Sequence, residues 1–309
     1  MATTMTVNSN YSGSASSEII GAAFKEADTI SKNLVTVMPD IDFQISLRKI
    51  AYTDGRVDYT CGFTPTGAVT LSERLLTPKK LKNEQTICKE DLRNLWSSAS
   101  MGFSAHNENL PKDIEAALLN EILMDTAEAT DLDIWQGVAA TTGRIGGFIE
   151  LFTADAAVIK ANNGITAINA AVSESNVEAV LKAALAAIPV TLRRKSLNVM
   201  VSANVWQAYM FYLTSKGIAD NGDTSEKRMG FAGYTLVELQ DLPDNTIVIA
   251  EPKNLVFATG LEQDFNEIAL VDEDSIGLLT GQVRGKIVYS GGVGYYNSNE
   301  IVYLLSTTA

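Results

Sequence analysis

Seven acidic residues and a single lysine share one uninterrupted helical pattern. From Pro111 to about Trp135, Ile114, Leu118 and Ile122, joined by Leu119 and Leu123, recur at helical spacing. Asp113, Glu115, Glu121, Asp125, Glu128, Asp131 and Asp133 stand against Lys112 alone. Pro111 suits the helix start, where its missing N–H costs nothing, and Gly137 suits the stop. Like charges at this spacing repel. A helix this long and acidic therefore needs either open solvent or basic segments packed over it. Lys79, Lys80, Lys82 and Arg193-Arg194-Lys195 are the candidate cations, and Glu121, Asp125 and Glu128 the acids they would meet.

Upstream of the helix the apolar period changes to two. Ile41, Phe43, Ile45 and Leu47 alternate with polar residues, and Val57, Tyr59, Cys61 and Phe63 alternate again. Asp54-Gly55 between them is a strong signal for a two-residue hairpin turn. The apolar phase slips between Leu47 and Ile50, which predicts a bulge. After Pro65-Thr66-Gly67, Val69 and Leu71 resume the alternation. The stripe formed by Val57, Tyr59 and Phe63 needs a cover, and a projecting hairpin of this length points to a neighbouring subunit as that cover. Asp54, Gly55, Val57, Tyr59 and Phe63 are thus candidate intersubunit residues.

The N-terminal segment, residues 1–16, is rich in Ser, Thr, Asn and Gly and reads as a flexible arm. A modest helix is expected from Ser17 to about Leu34, and a short one from about Lys89 to Met101. Beyond the long helix, Ser173–Ala187 and Ala203–Leu213 read as helices and Leu197–Val201 as a buried strand. From Tyr234 the pattern is mostly strand: Tyr234–Leu239, Thr246–Ala250, Leu255–Thr259, Glu267–Val271, Gln282–Tyr289 and Ile301–Leu305.

The catalytic inventory is thin. His106 is the only histidine and the chain has two cysteines, which excludes a disulfide framework and common zinc sites and leaves a serine triad only through His106. Cys61 and Cys88 read as small apolar residues. Gly143-Arg-Ile-Gly-Gly147 follows a helix and lacks the spacing of a nucleotide loop, so it reads as a turn. Asp220–Asp223 reads as a solvated loop and Asp272-Glu-Asp274 as a charged strand end, rather than as ion sites. Acid–base catalysis by the helix carboxylates lacks any convergent partner. No catalytic, metal-binding or cofactor-binding residue is assigned, and no cofactor. The net charge of −13 argues against a basic nucleic-acid binder and against an anionic-membrane anchor. The N-terminus has no basic start and no apolar run, so neither a signal peptide nor a membrane segment is expected.

The order of elements resembles that of the major capsid proteins of tailed bacteriophages with the HK97-like fold. Softer text matches support it: Pro252-Lys-Asn-Leu-Val-Phe257, Asp264-Phe-Asn-Glu-Ile268, Gln282-Val-Arg-Gly-Lys-Ile-Val-Tyr-Ser-Gly-Gly292, Asn299-Glu-Ile-Val302 and Leu197-Asn-Val-Met-Val-Ser-Ala-Asn-Val-Trp206. The resemblance implies an α+β fold with an N-terminal arm and helix (1–37), an extended hairpin or E-loop with its base (38–88), and a peripheral domain (89–154) holding a spine helix at 111–136. It also implies an axial α/β domain (155–250) and strands returning to the peripheral domain (251–309). The implied function is a non-enzymatic major capsid protein, assembling as pentamers and hexamers into an icosahedral shell. Such a shell would enclose phage double-stranded DNA without sequence-specific binding and without a membrane. It would be built in the host bacterial cytoplasm with a separate scaffolding protein or none, and with portal and decoration proteins as further partners. The alternatives are an encapsulin-like nanocompartment shell or another phage virion protein.

Overall fold

A computed structural model describes residues 9–12, 28–41, 43–59, 61–62, 65–88, 112–161, 171–217, 230–260, 267–274, 276–278 and 280–305. The described residues form two six-stranded sheets and one separate two-stranded hairpin. The expected helix Lys89–Met101, His106, Phe63 and the loop Asp220–Asp223 lie outside them.

The first sheet is organised by one long strand, β13 (Gln282–Tyr295). Its residues 283–288 pair with β12 (Glu267–Asp272), and residues 282–291 pair with β5 (Lys79–Cys88), both antiparallel. Its last residues pair with β11 (Leu255–Thr259), which in turn takes β2 (Thr36–Met38) as a parallel partner. Ser9–Ser12, within the expected arm, is an edge strand, β1, running antiparallel to β12 from Ser9↔Leu270 to Ser12↔Glu267. Backbone hydrogen bonds need no particular side chain, so a polar, small-residue segment can add to a sheet edge. Of the expected helix from Ser17 to Leu34, the described part is a short helix, α1 (Asp28–Ser31).

The acidic helix, α2 (Lys112–Gln136), lies on this sheet. Ile122, Leu123, Ile134 and Trp135 enter a core shared with Leu81, Phe257, Ile287 and Tyr295. Asn83 on β5 donates to Thr126 Oγ1 at 3.2 Å, which fixes helix against strand. Gly137 N–H closes the helix on Asp133 O at 3.0 Å. The glycine-rich stretch at 143–147 is the turn into α3 (Phe148–Ala154). Phe148 and Phe152 stack with centroids 5.6 Å apart, and Phe152 also meets Tyr295 and Tyr303.

The second sheet runs in the order β6 (Ile159–Lys160), β14 (Val302–Leu305), β10 (Thr246–Ala250), β7 (Asn198–Ser202), β9 (Tyr234–Leu239) and β8 (Gly230–Phe231). Both of its faces are covered, which is why β10 is apolar from Ile247 to Ala250. Ile247 and Ile249 face α4 (Val177–Ala186) and α5 (Ala203–Ser215). Val248 and Ala250 point the other way, into the core of the first sheet. The last strand departs from expectation. β14 does not return to the first sheet; it pairs with β10 and β6 in the second.

The hairpin differs most from its sequence reading. β3 (Ile45–Thr53) pairs with β4 (Ala68–Leu76), from Ile45↔Leu76 to Thr53↔Ala68. Asp54-Gly55 is therefore not a two-residue turn but the start of a loop that closes at Gly67, and the second strand is Ala68–Leu76 rather than one through Val57 and Tyr59. The local turn signal loses because Leu47 and Leu76 must both reach Val256 and Ala258 on the body. That requirement sets the register. The loop's ends touch: a Cβ on Gly55 would lie 2.2 Å from Gly67 N. No bulge follows Leu47, since the register continues unbroken through Ile50↔Leu71.

Candidate assembly surface

The phase slip at Leu47–Ile50 marks a change of buried side. At the root, Ile45, Leu47 and Leu76 face the body. Leu47 and Leu76 are 2% and 3% exposed. Beyond the root the apolar residues stand on the opposite face. Ile50 pairs with Leu71 and Tyr52 with Val69. Alternation along β3 and β4 puts these four and Leu75 on one side. They are 70%, 64%, 68%, 65% and 59% exposed in the order Ile50, Leu71, Tyr52, Val69, Leu75. Ile50, Leu71, Tyr52 and Val69 adjoin one another, with Leu75 beyond the Arg48–Glu73 pair, and an exposed apolar patch of this kind marks an interaction surface. The sequence reading missed these five residues; the phase slip was their signal.

The root is anchored by polar chemistry that no spacing announces. Arg74 Nη2 donates to Asp155 Oδ2 at 2.6 Å, and Tyr295 OH donates to the same oxygen at 2.8 Å. The Arg74 guanidinium also lies 4.0 Å from the centre of the Tyr295 ring. Lys49 Nζ reaches Asn297 Oδ1 at 2.7 Å. Under the root, β13 is built of glycines. A Cβ on Gly294 would come within 2.7 Å of Leu76 Cδ1, and one on Gly292 within 2.9 Å of Pro78 Cα. The hairpin can lie this close only because those side chains are missing.

Burial alone would raise the Asp155 carboxyl. The Ala157 N–H, Arg74 and the Tyr295 hydroxyl outweigh it and hold Asp155 below the ordinary carboxylate range. Tyr295 is pushed up to about 12, by burial first and then by its bond to Asp155. A lowered carboxyl stabilises fully above its ordinary value and loses that contribution as pH falls through the lowered one. Acid should therefore loosen the hairpin root, read as faster hydrogen exchange at Ile45–Leu47. Arg74→Ala should do the same at neutral pH while costing only about 1 kcal/mol, because water screens a pair whose arginine is 36% exposed.

The other predicted residues scatter. Asp54 and Gly55 begin the tip loop, where Arg56 pairs with Asp54 and holds its carboxyl down. Val57 and Tyr59 are in that loop, 67% and 92% exposed. Cys61 is exposed there rather than on an apolar strand face, and Cys88 is half-buried. Glu121, Asp125 and Glu128 are exposed on α2. The expected cations engage elsewhere: Lys82 pairs with Glu84 at 2.7 Å, and Lys79 Nζ donates to the carbonyls of Thr141 and Arg144 at 3.2 and 2.7 Å. Lys80 lies on the same edge strand. Lys195 pairs with Glu251 and Glu300. Among the described side chains of α2, Asp133 meets a cation, 3.6 Å from Arg144. Burial nevertheless raises its carboxyl, with Arg144 opposing. Asp272, Glu273 and Asp274 close a turn, in which Asp274 Oδ1 accepts the Gly281 N–H at 2.9 Å and Glu273 pairs with Arg284. Among the described residues, no group of three or more His, Cys, Asp or Glu is placed to hold a metal ion.

The chain has the α+β fold of phage capsid proteins, the HK97-like fold, over nearly its whole length. It is similar to the capsid of a native GTA particle, with a TM-score of 0.63, 15% identity, and coverage of 90% of this chain and 89% of that one. It is also similar to the satellite phage P4 procapsid that includes the size determination protein Sid, with a TM-score of 0.56, 11% identity, and coverage of 94% and 98%. A third is the capsid of Myoviridae phage XM1, with a TM-score of 0.55, 14% identity, and coverage of 90% and 91%. No family model matches the sequence, and no curated protein matches it.

Proposed function

We propose that this protein is a structural major capsid protein whose subunits assemble into a closed shell. The observation that favours this most is the hairpin: an extended element with its root locked to the body and its outer apolar face uncovered by its own subunit. In this reading Ile50, Tyr52, Val69, Leu71 and Leu75, with Val57 and Tyr59 at the tip, pack on a neighbouring subunit. The first sheet with α2 is the peripheral domain, and the second sheet with α4 and α5 is the axial domain. Exposed Glu121, Asp125 and Glu128 are free to meet cations of a neighbour. The protein acts by assembly and not by catalysis, within the virion capsid, and it is built in the host cytoplasm.

The cargo is double-stranded DNA held without sequence-specific contacts. A subunit of net charge −13 adds little phosphate affinity, and every such contact would hinder packaging and release. Scaffolding, portal and decoration proteins are the further partners, a reading that the P4 procapsid with its Sid protein supports by analogy. Size-exclusion chromatography with light scattering should show capsomers or shells, and particles from infected cells should contain DNA. Shells that hold protein cargo and no nucleic acid would favour the nanocompartment reading instead.

A further inference from the structure

The crowding of acids around α2 has a resolution that no lysine provides. Asp131 is 2% exposed. Its Oδ2 accepts the Thr29 N–H at 3.3 Å, while its buried Oδ1 has no hydrogen-bond donor. A buried carboxylate oxygen without a donor is costly. The group facing Asp131 is another acid, Asp241, on the turn between β9 and β10, with its carboxyl in hydrogen-bonding reach. Two carboxyl groups can bond only when one keeps its proton.

Among the described residues, little else is placed to neutralise the pair. From α1, Asp28 adds negative charge, and Lys32 on the following turn is already engaged: its Nζ donates to Asp28 Oδ2 at 2.8 Å and to the Glu238 carbonyl at 3.0 Å. From α2, Glu128 adds a further negative charge. From β9, the Glu238 carboxylate accepts from Gln240 at 3.1 Å. The Asp241 carbonyl is fixed to α2 by Gln136 Nε2 at 2.7 Å, so the two acids are held together by the backbone.

We propose that Asp131 and Asp241 form a proton-binding site that latches α1 and the β9–β10 turn onto the long helix. The shared proton, carried by Asp241, supplies the donor that Asp131 Oδ1 lacks. Burial first, and then the charge of Asp131, push the Asp241 carboxyl up to about 7. A raised carboxyl contributes its stability fully below its ordinary value and loses it as pH rises through the raised one. The latch is thus closed in mild acid and opens above neutrality, when two carboxylates face each other beside Asp28 and Glu128. The contacts at stake hold α1: the Thr29 N–H on Asp131, and the Trp135 indole N–H on Thr29 Oγ1 at 2.8 Å.

Hydrogen exchange on the full chain tests this, following residues 28–35 between pH 5.5 and 8.5 after correction for intrinsic rates. Wild type should lose up to about tenfold in protection per pH unit from pH 5.5 to about 7 and level off above it, whereas Asp241→Asn should show no such slope. Equal slopes, or protection that rises with pH in wild type, would overturn the proposal. Infrared titration of wild type alone keeps it testable if the variant fails to fold. A protonated carboxyl band should be present at pH 6 and gone at pH 8.5, and its absence at pH 6 contradicts the latch. Chelator should leave the exchange profile unchanged; a profile that collapses with EDTA would place a cation, not a proton, between the carboxyls.

Discussion

Ile50→Ser together with Leu71→Ser leaves the subunit folded and abolishes its assembly. The two residues are direct cross-strand partners, 70% and 64% exposed on the outer face of the hairpin. Within one subunit they touch little, so the substitution costs about 1 kcal/mol or less, mostly strand propensity. Across an interface each would bury an apolar side chain worth about 1.5–3 kcal/mol. The loss recurs at every hairpin of a shell, and a lattice of many weak contacts does not survive it. Light scattering should report dispersed subunits, with a thermal melt close to that of dispersed wild type. If the double variant melts early or yields no soluble protein, the stripe belongs to the subunit's own core.

The opposite substitution is Phe152→Ala, which should destroy both. Phe152 is fully buried where the two sheets meet, against Phe148 from its own helix, Tyr295 from the first sheet and Tyr303 from the second. Removing it opens a cavity that close-packed rings cannot fill, at a cost of about 3–5 kcal/mol. That is a large share of the ~5–15 kcal/mol available to a domain. Denaturant unfolding should show the midpoint falling before any effect on assembly is read. A variant that kept its midpoint but failed to assemble would mean that the sheets are not joined through this residue.

Long periodic elements were legible. The helix at 112–136 and the strands after Tyr234 follow from periodicity, with Ile122, Leu123, Ile134 and Trp135 of the helix and the strands Thr246–Ala250 and Leu255–Thr259 buried. β5 was not, because its inward positions mix Leu81 and Ile87 with Asn83 and Gln85; two polar residues on the covered face erase the alternation. Its lysines then looked like a basic cluster instead of the outer edge of a strand. The hairpin was legible as a hairpin, but its register was decided by Leu47 and Leu76 reaching the body, over the local signal of Asp54-Gly55. Arg74 with Asp155, and Asp131 with Asp241, join residues far apart in the chain, and no local pattern links them.

The measurement closest to the central claim is electron microscopy of the purified full chain, expressed alone and with its neighbouring genes. The account predicts ring-shaped capsomers or closed icosahedral shells, lost in the Ile50→Ser, Leu71→Ser variant and regained with wild type. A wild-type protein that stays monomeric at high concentration and physiological salt, alone and with its neighbours, would contradict it.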